Sequence, residues 1–389
     1  MEGRPAMKGH FLKQNWANLL FVGALAAVLV LGGLGAWLFP RAVNAYENRY
    51  AVQLPAFSPA AYGSGDFQDD LESALADQLP KASALKKLYH LGTRGYTYGL
   101  LSPLSAAHPT AYFEFYGLNL VHGDRLVYDP LDPAEVLPRL DPRIARIQAA
   151  MAQNPGTEFF LYYIEKDTDL NFETGGRLGA WEYLSDRLDL PTAKFAVDTP
   201  AEFFRDFYKT DHHWNASGSY RAYGELLDLL GCPDSPLEPL ETVTPDGVLH
   251  GSKAAACGAD QLGEAMTVFR FGFPAMTVTL DGQPAADYGN QGGPLSYSAV
   301  YGGDNGEVLL DAGKSGPNLL ILGESYDNAV LKLLACHFGR VYAVDLRYYA
   351  ALTGQDFSLS GYIQAHDIDQ VLFMGNIDYF TLNDFAWES

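Results

Sequence analysis

Between Asn18 and Pro40 the chain reads NLLFVGALAAVLVLGGLGAWLFP, without one charged residue. Roughly 20 such residues cross a bilayer, so the pattern predicts a transmembrane anchor over 18–39 behind a cytoplasmic tail over 1–17. Arg4, Lys8 and Lys13 before the run and Trp37 near its far end orient the remainder outward. The competing expectation is a cleaved signal peptide, because Val43–Ala45 forms a small-x-small site before Tyr46. Residues 40–66 are rich in Pro, Ala, Gly and Ser and read as a stalk, with one domain following over 67–389.

In that domain the apolar spacing keeps changing period. From 67 it is helical, with a break at Pro80; residues 110–130 read as a hairpin turning at His122-Gly123-Asp124. A helix over 132–152 leads into TEFFLYYIEKD, an apolar run typical of a buried parallel strand. LGAWEYLSDRL and PAEFFRDFY are helix candidates around the strand AKFAVDT, and 216–230 has one apolar helical face ending at Gly231. Residues 233–317 turn to short strands and turns and read as a β-rich insertion. The last section alternates NLLILG, SYDNAVLKLLACHF, RVYAVDLRYY, LSGYIQAHD and QVLFMGN, a βαβαβ rhythm that predicts a parallel sheet covered on both faces.

Charge and cysteine content narrow the function classes. A net charge of −21 repels phosphate backbones, which argues against nucleic acid. An acidic polymer would need a local basic groove that the sequence does not display. Cys232, Cys257 and Cys336 make no disulfide scaffold and no zinc spacing. Cys232 and Cys257 are the pair an oxidising compartment would join.

Two polar punctuations carry the candidate chemistry. FYKTDHHWNASGSYRAY puts Asp211 and His213 at i, i+2; in extended chain they share one face, while His212 points the other way. Asp211 can then orient His213 as a general base, with Trp214 packed beside them. In LLILGESYDNAVLKLL, Gly323-Glu324-Ser325 ends an apolar strand and a helix is expected to begin at once. Ser325 there is either a plain helix cap or an exposed nucleophile at the carboxyl edge of the sheet. Two rivals remain open: a metal-dependent phosphoesterase using Asp211, His212, His213 and the carboxylates of 167–169, and a triad of Ser325 with Asp345 and His366 in α/β-hydrolase order.

These blocks carry a resemblance. YKTDHHWNASGSYRAY resembles the signature of the DHHW proteins, relatives of the alginate O-acetylation proteins within the SGNH (GDSL-type) hydrolase superfamily. LLILGESYDNAVLKLLACHFGRVYAVDLRYY is similar to that family's serine block, and FQDDLESALADQLPKASALKK to its N-terminal helical segment. The resemblance implies a flavodoxin-like α/β/α fold with Ser325 as nucleophile, His213 as base and Asp211 as its orienter. It implies acetyl transfer or removal on a cell-surface glycan, outside the cytoplasm. A membrane-bound O-acyltransferase partner is implied as well, and no metal or organic cofactor is called for. The Ser325 N–H and Asn376 are expected oxyanion donors, and Tyr326, Arg347 and Trp214 are expected near the substrate. One departure stands out: the family's Gly-Asp-Ser is Gly-Glu-Ser here, so Glu324 is expected to disturb the serine loop. That leaves a non-catalytic glycan-binding or scaffolding protein as the alternative.

Overall fold

The computed structural model describes residues 7–44, 49–259, 261–289 and 294–382. Arg4 and the Ala45-Tyr46 end of the expected cleavage site lie outside them. The chain divides into two compact units, one of residues 1–95 with 258–260 and one of 96–257 with 261–389; the sequence reading placed that boundary at 66.

In the first unit, Met7–Leu38 is one continuous helix whose residues 15–38 are long and apolar enough to cross a membrane. The stretch read as stalk holds a short helix, Pro59–Ser64. It starts there because Ser58 Oγ accepts the Ala61 N–H at 3.1 Å and Pro59 takes the first turn. Asp66–Gln78 follows, and Pro80 separates it from the helix Ala82–Ala107, which ends in the second unit.

The second unit is built on an eight-stranded sheet. From one edge its strands are Gln283–Ala285, Thr277–Leu280, Glu307–Asp311, Val341–Val344, Leu319–Leu322, Gln370–Gly375, Glu158–Ile164 and Thr192–Phe195. The last five run parallel; the first three pair antiparallel. Alternation along the parallel strands loads both faces. Phe160, Tyr162, Ile164, Leu319 and Ile321 pack with Trp214, Tyr223 and Leu226 on one side. Phe159, Leu161, Tyr163, Leu320 and Leu322 pack with Ile144, Ile147, Leu359 and Ile363 on the other. The result is a three-layer α/β/α domain with a mostly parallel sheet.

Four expectations change. Residues 113–127 form a three-stranded meander, with an extra turn at Tyr116-Gly117, both at positive φ. Residues 233–317 are less an insertion than part of the sheet, since three of their strands extend it beyond Val341–Val344. No α-helix starts at Ser325: a turn and a single 3₁₀ turn over Asp327–Ala329 precede the short helix Leu331–Ala335. Cys232 and Cys257 are not joined by a disulfide.

Candidate active site

The 207–215 segment folds back on itself before its helix. Phe207 and Trp214 form an isolated antiparallel bridge, the Asn215 N–H donates to Asp206 O at 2.8 Å, and Asn215 Oδ1 caps the helix Ala216–Leu229 through the Ser217 and Gly218 N–H groups. Gly218 is required because a Cβ there would lie 2.3 Å from Asp206 O. Glu264 Oε1 clamps the near side, accepting the Lys209 and Thr210 N–H groups at 2.7 and 2.8 Å.

This turn presents Asp211 and His213 together. Asp211 Oδ1 lies 2.6 Å from His213 Nδ1 and also accepts the His213 N–H at 3.0 Å. Its other oxygen accepts the Ser252 N–H at 2.9 Å. Burial alone would push the Asp211 carboxyl up; the His213 charge and hydrogen bonds outweigh it and hold the group well below the usual carboxylate range. An ionised Asp211 keeps the proton of a neutral His213 on Nδ1 and leaves Nε2 as an acceptor. That nitrogen lies 2.8 Å from Ser325 Oγ, at the carboxyl end of the central strand Leu319–Leu322. The Ser325 N–H donates to no group among the described residues, whereas the Asp327 N–H is engaged by Glu324 O.

The other expected residues are placed as follows. Glu324 is buried, and its Oε1 accepts from Asn376 Nδ2 at 2.6 Å and the Asn376 N–H at 3.3 Å. Burial pushes its carboxyl up against the pull of Arg347 and Lys166. The longer acid thus latches the serine strand to the end of its neighbour, and Ser325 stays within hydrogen-bond reach of His213. Asn376 Nδ2 donates to Glu324, and its Oδ1 caps Asp378 N at 2.8 Å. Arg347 is held bidentate by Asp345, Nε to Oδ1 at 3.0 Å and Nη2 to Oδ2 at 2.6 Å. Trp214 is 0% and Tyr326 1% exposed, so neither offers a surface to substrate. Their rings pack edge to face at 5.3 Å, and Tyr326 Oη donates to His212 O; both hold the loop.

Of the two rival readings, the α/β-hydrolase-order triad loses its geometry, while in the metal reading Asp211, His212 and His213 do offer ligand atoms within 4.8 Å of one another but Asp167 and Asp169 are engaged elsewhere. The backbone carbonyl of His366 accepts from Asn318 Nδ2 at 3.2 Å, just before the strand whose far end carries Ser325, so His366 lies at the opposite edge of the sheet. His212 Nδ1 lies 2.6 Å from Ser252 Oγ; burial and the His213 charge hold its ring well below the ordinary imidazole range. Asp167 pairs with buried Lys253 at 2.6 Å. Asp169 accepts from Tyr163 Oη at 2.6 Å and the Lys166 N–H at 3.1 Å, and burial pushes its carboxyl up to about 7.

Sequence reasoning missed Ser252 and Tyr297, both from 233–317. Tyr297 stacks on His213, and its hydroxyl accepts from Trp214 Nε1 at 3.2 Å. No periodicity or spacing marks either residue. Beside Ser325 lies a narrow crevice of about 10 Å³ lined by Gly303, Asn305, Asn328 and the carboxyl groups of Asp304, Asp327 and Asp345.

Comparison with solved structures bears on the fold. A DHHW family protein from Eubacterium siraeum superposes with a TM-score of 0.59 at 16% identity, covering 72% of this chain and 98% of that one. Bacillus cereus PatB1 superposes at 0.53 with 17% identity over 72% and 99%. Its sulfonyl adduct superposes at 0.52 with 18% identity over 70% and 97%. No protein-family model matches the sequence, and no curated protein matches it. The fold is SGNH-like, and a protein of the family that the DHHW motif resembles is among the structures that share it.

Proposed function

We propose that the protein is a membrane-anchored, extracytoplasmic serine O-acetyltransferase or acetylesterase acting on a cell-surface glycan. The observation that carries this reading is the unbroken chain Asp211–His213–Ser325, with links of 2.6 and 2.8 Å. His213 Nε2 takes the Ser325 Oγ proton as Oγ attacks the acetyl carbonyl, and the Ser325 N–H faces the developing oxyanion. The departing alkoxide takes that proton from His213, leaving acetyl-Ser325. A sugar hydroxyl or water then gives its proton to Nε2 and attacks the acyl carbon; Ser325 leaves and recovers the proton. Asp211 stays ionised throughout and stabilises the imidazolium.

An apolar helix suited to an anchor supports activity at a membrane surface, beside a membrane-bound acyl donor. The test is labelling by a serine-reactive phosphonate, with hydrolysis of an aryl acetate, in wild type and Ser325→Ala. Both signals should vanish in the variant while its melting temperature holds. Signals that survive the substitution sink the enzyme reading in favour of a glycan-binding scaffold. Adding a soluble oligosaccharide then separates transfer from hydrolysis by whether acetate appears on sugar.

A further inference from the structure

The helix after the DHHW turn, Ala216–Leu229, and the helix beyond the GES turn, Leu331–Ala335, end side by side. The helix Ala216–Leu229 closes in a Schellman motif: Gly231 takes φ +66°, its N–H donates to Asp228 O at 3.2 Å, and the Cys232 N–H donates to Leu227 O at 2.9 Å. This cap fixes Cys232 in place, two residues before Asp234. The helix Leu331–Ala335 ends with His337, whose N–H donates to Leu334 O at 2.8 Å.

Cys232 Sγ, an Asp234 carboxylate oxygen and a His337 ring nitrogen lie within 4.8 Å of one another. His337 is 7% exposed. Its Nδ1 is buried and makes no hydrogen bond among the described residues, and the Asp234 Oδ2 carboxylate oxygen is 3.6 Å away. The other ring nitrogen, Nε2, bonds Tyr223 Oη, which also accepts the Leu237 N–H at 3.0 Å. With Nε2–H donating to that oxygen, Nδ1 presents a bare lone pair toward the thiol and the carboxylate. This is the arrangement of a metal-bound imidazole, in which an outer partner sets the tautomer.

We propose that Cys232, Asp234 and His337 form a zinc(II) site that ties the C-terminal end of the helix Ala216–Leu229, which follows the Asp211–His213 turn, to that of the helix Leu331–Ala335, which lies further along the chain from Ser325. One soft sulfur, one imidazole and one carboxylate suit zinc better than calcium or magnesium, which take oxygen ligands. Tetrahedral zinc with bonds of about 2.0–2.3 Å separates its ligand atoms by about 3.4–3.6 Å. The three donors therefore reach it by closing about 1 Å, and the exposed side leaves the fourth position to solvent. Binding displaces the Cys232 thiol proton, so affinity falls as pH falls. The ammonium of Lys314 pairs with Asp234 Oδ2 and must swing aside, which makes it a built-in competitor.

Cobalt(II) and zinc(II) titration of the full chain in detergent, after chelator treatment, tests the site. One equivalent of cobalt should bind with a thiolate-to-metal charge-transfer band and be displaced by zinc, and zinc should raise the melting temperature. Cys232→Ser should abolish the band and weaken zinc at least tenfold; Asp234→Asn, at an exposed position, should weaken it without disturbing the chelated protein's melting. Lys314→Gln should bind zinc more tightly than wild type. Cobalt binding without the band, or zinc affinity unchanged in both Cys232→Ser and Asp234→Asn, overturns the proposal. So does binding that survives Cys232→Ser and is lost in His212→Ala, which moves the ion to the DHHW turn.

Discussion

The ring of Tyr297 lies face to face with that of His213, centroids 3.8 Å apart and planes 2° from parallel. The base is thus held along its edge by Asp211 and across its face by a phenol that Trp214 pins in turn. A π-face also stabilises the imidazolium formed in each half-reaction. Tyr297→Ala should lower kcat about tenfold, a loss of about 1.4 kcal/mol in the barrier, with KM nearly unchanged. Tyr297→Phe keeps the stack and should stay within about threefold of wild type by the same arithmetic. Steady-state rates on an aryl acetate decide; equal losses in both variants would assign the effect to the hydroxyl.

Asp211→Asn replaces an acceptor facing His213 Nδ1–H with an amide that can turn a donor toward it. The imidazole then takes the wrong tautomer, and kcat should fall by roughly 10²–10⁴-fold while substrate affinity holds. Retention of activity within threefold would remove Asp211 from the mechanism.

Gly251 has an ordinary φ of −72° but no room. A Cβ there would lie 2.4 Å from Thr210 O and 2.5 Å from Asp211 Cα. Gly251→Ala should cost about 1–3 kcal/mol of stability and lower kcat by displacing the Asp211 loop. Urea denaturation and kinetics on the same preparation separate the two effects.

Lys253 and Asp167 form an ion pair at 2.6 Å with both side chains 1% exposed. Lys253→Met strands a buried carboxylate and should cost about 3–5 kcal/mol. Lys253→Met with Asp167→Asn removes both charges and keeps an acceptor for the Tyr128 N–H, now at 2.9 Å, so most of the loss should return. A double-mutant cycle in urea measures the difference.

Asp169 sets a pH dependence of defined sign. Its folded carboxyl titrates near about 7, the unfolded one near about 3.9. Between those values the folded state holds a proton that the unfolded state has lost, so this group's contribution falls as pH rises through the window and is fully adverse above it. Asp169→Asn should melt progressively higher relative to wild type from about pH 4 to 7. A constant offset across that range would show that the carboxyl is ionised throughout.

How much of this could be read beforehand follows from how local each feature is. Asp211 and His213 share a face because two residues of extended chain dictate it, and Ser325 sits at a strand end because an apolar run stops at Gly323. Both were legible from spacing. Ser252 and Tyr297 reach the same site through tertiary folding of a turn-rich stretch whose residues follow no period. Strand pairing was similarly hidden: Thr277–Leu280 and Glu307–Asp311 look like any short strands, and only register shows them to be sheet members. The contact of Glu324 with Asn376 was hidden for the same reason, since Asn376 comes from a different strand end.

The antiparallel extension of the sheet also decides where its edges lie. Without residues 277–311, the apolar strand Val341–Val344 would present an unpaired row of amides and carbonyls, a template for pairing with another chain. As folded, that edge is the three-residue strand Gln283–Ala285, which contains Pro284, and the opposite edge strand Thr192–Phe195 carries Lys194. A short strand, a proline and a lysine are the residues that discourage edge-to-edge association. The segment that supplies Tyr297 to the base therefore also covers the strand edge that would otherwise invite pairing with another chain.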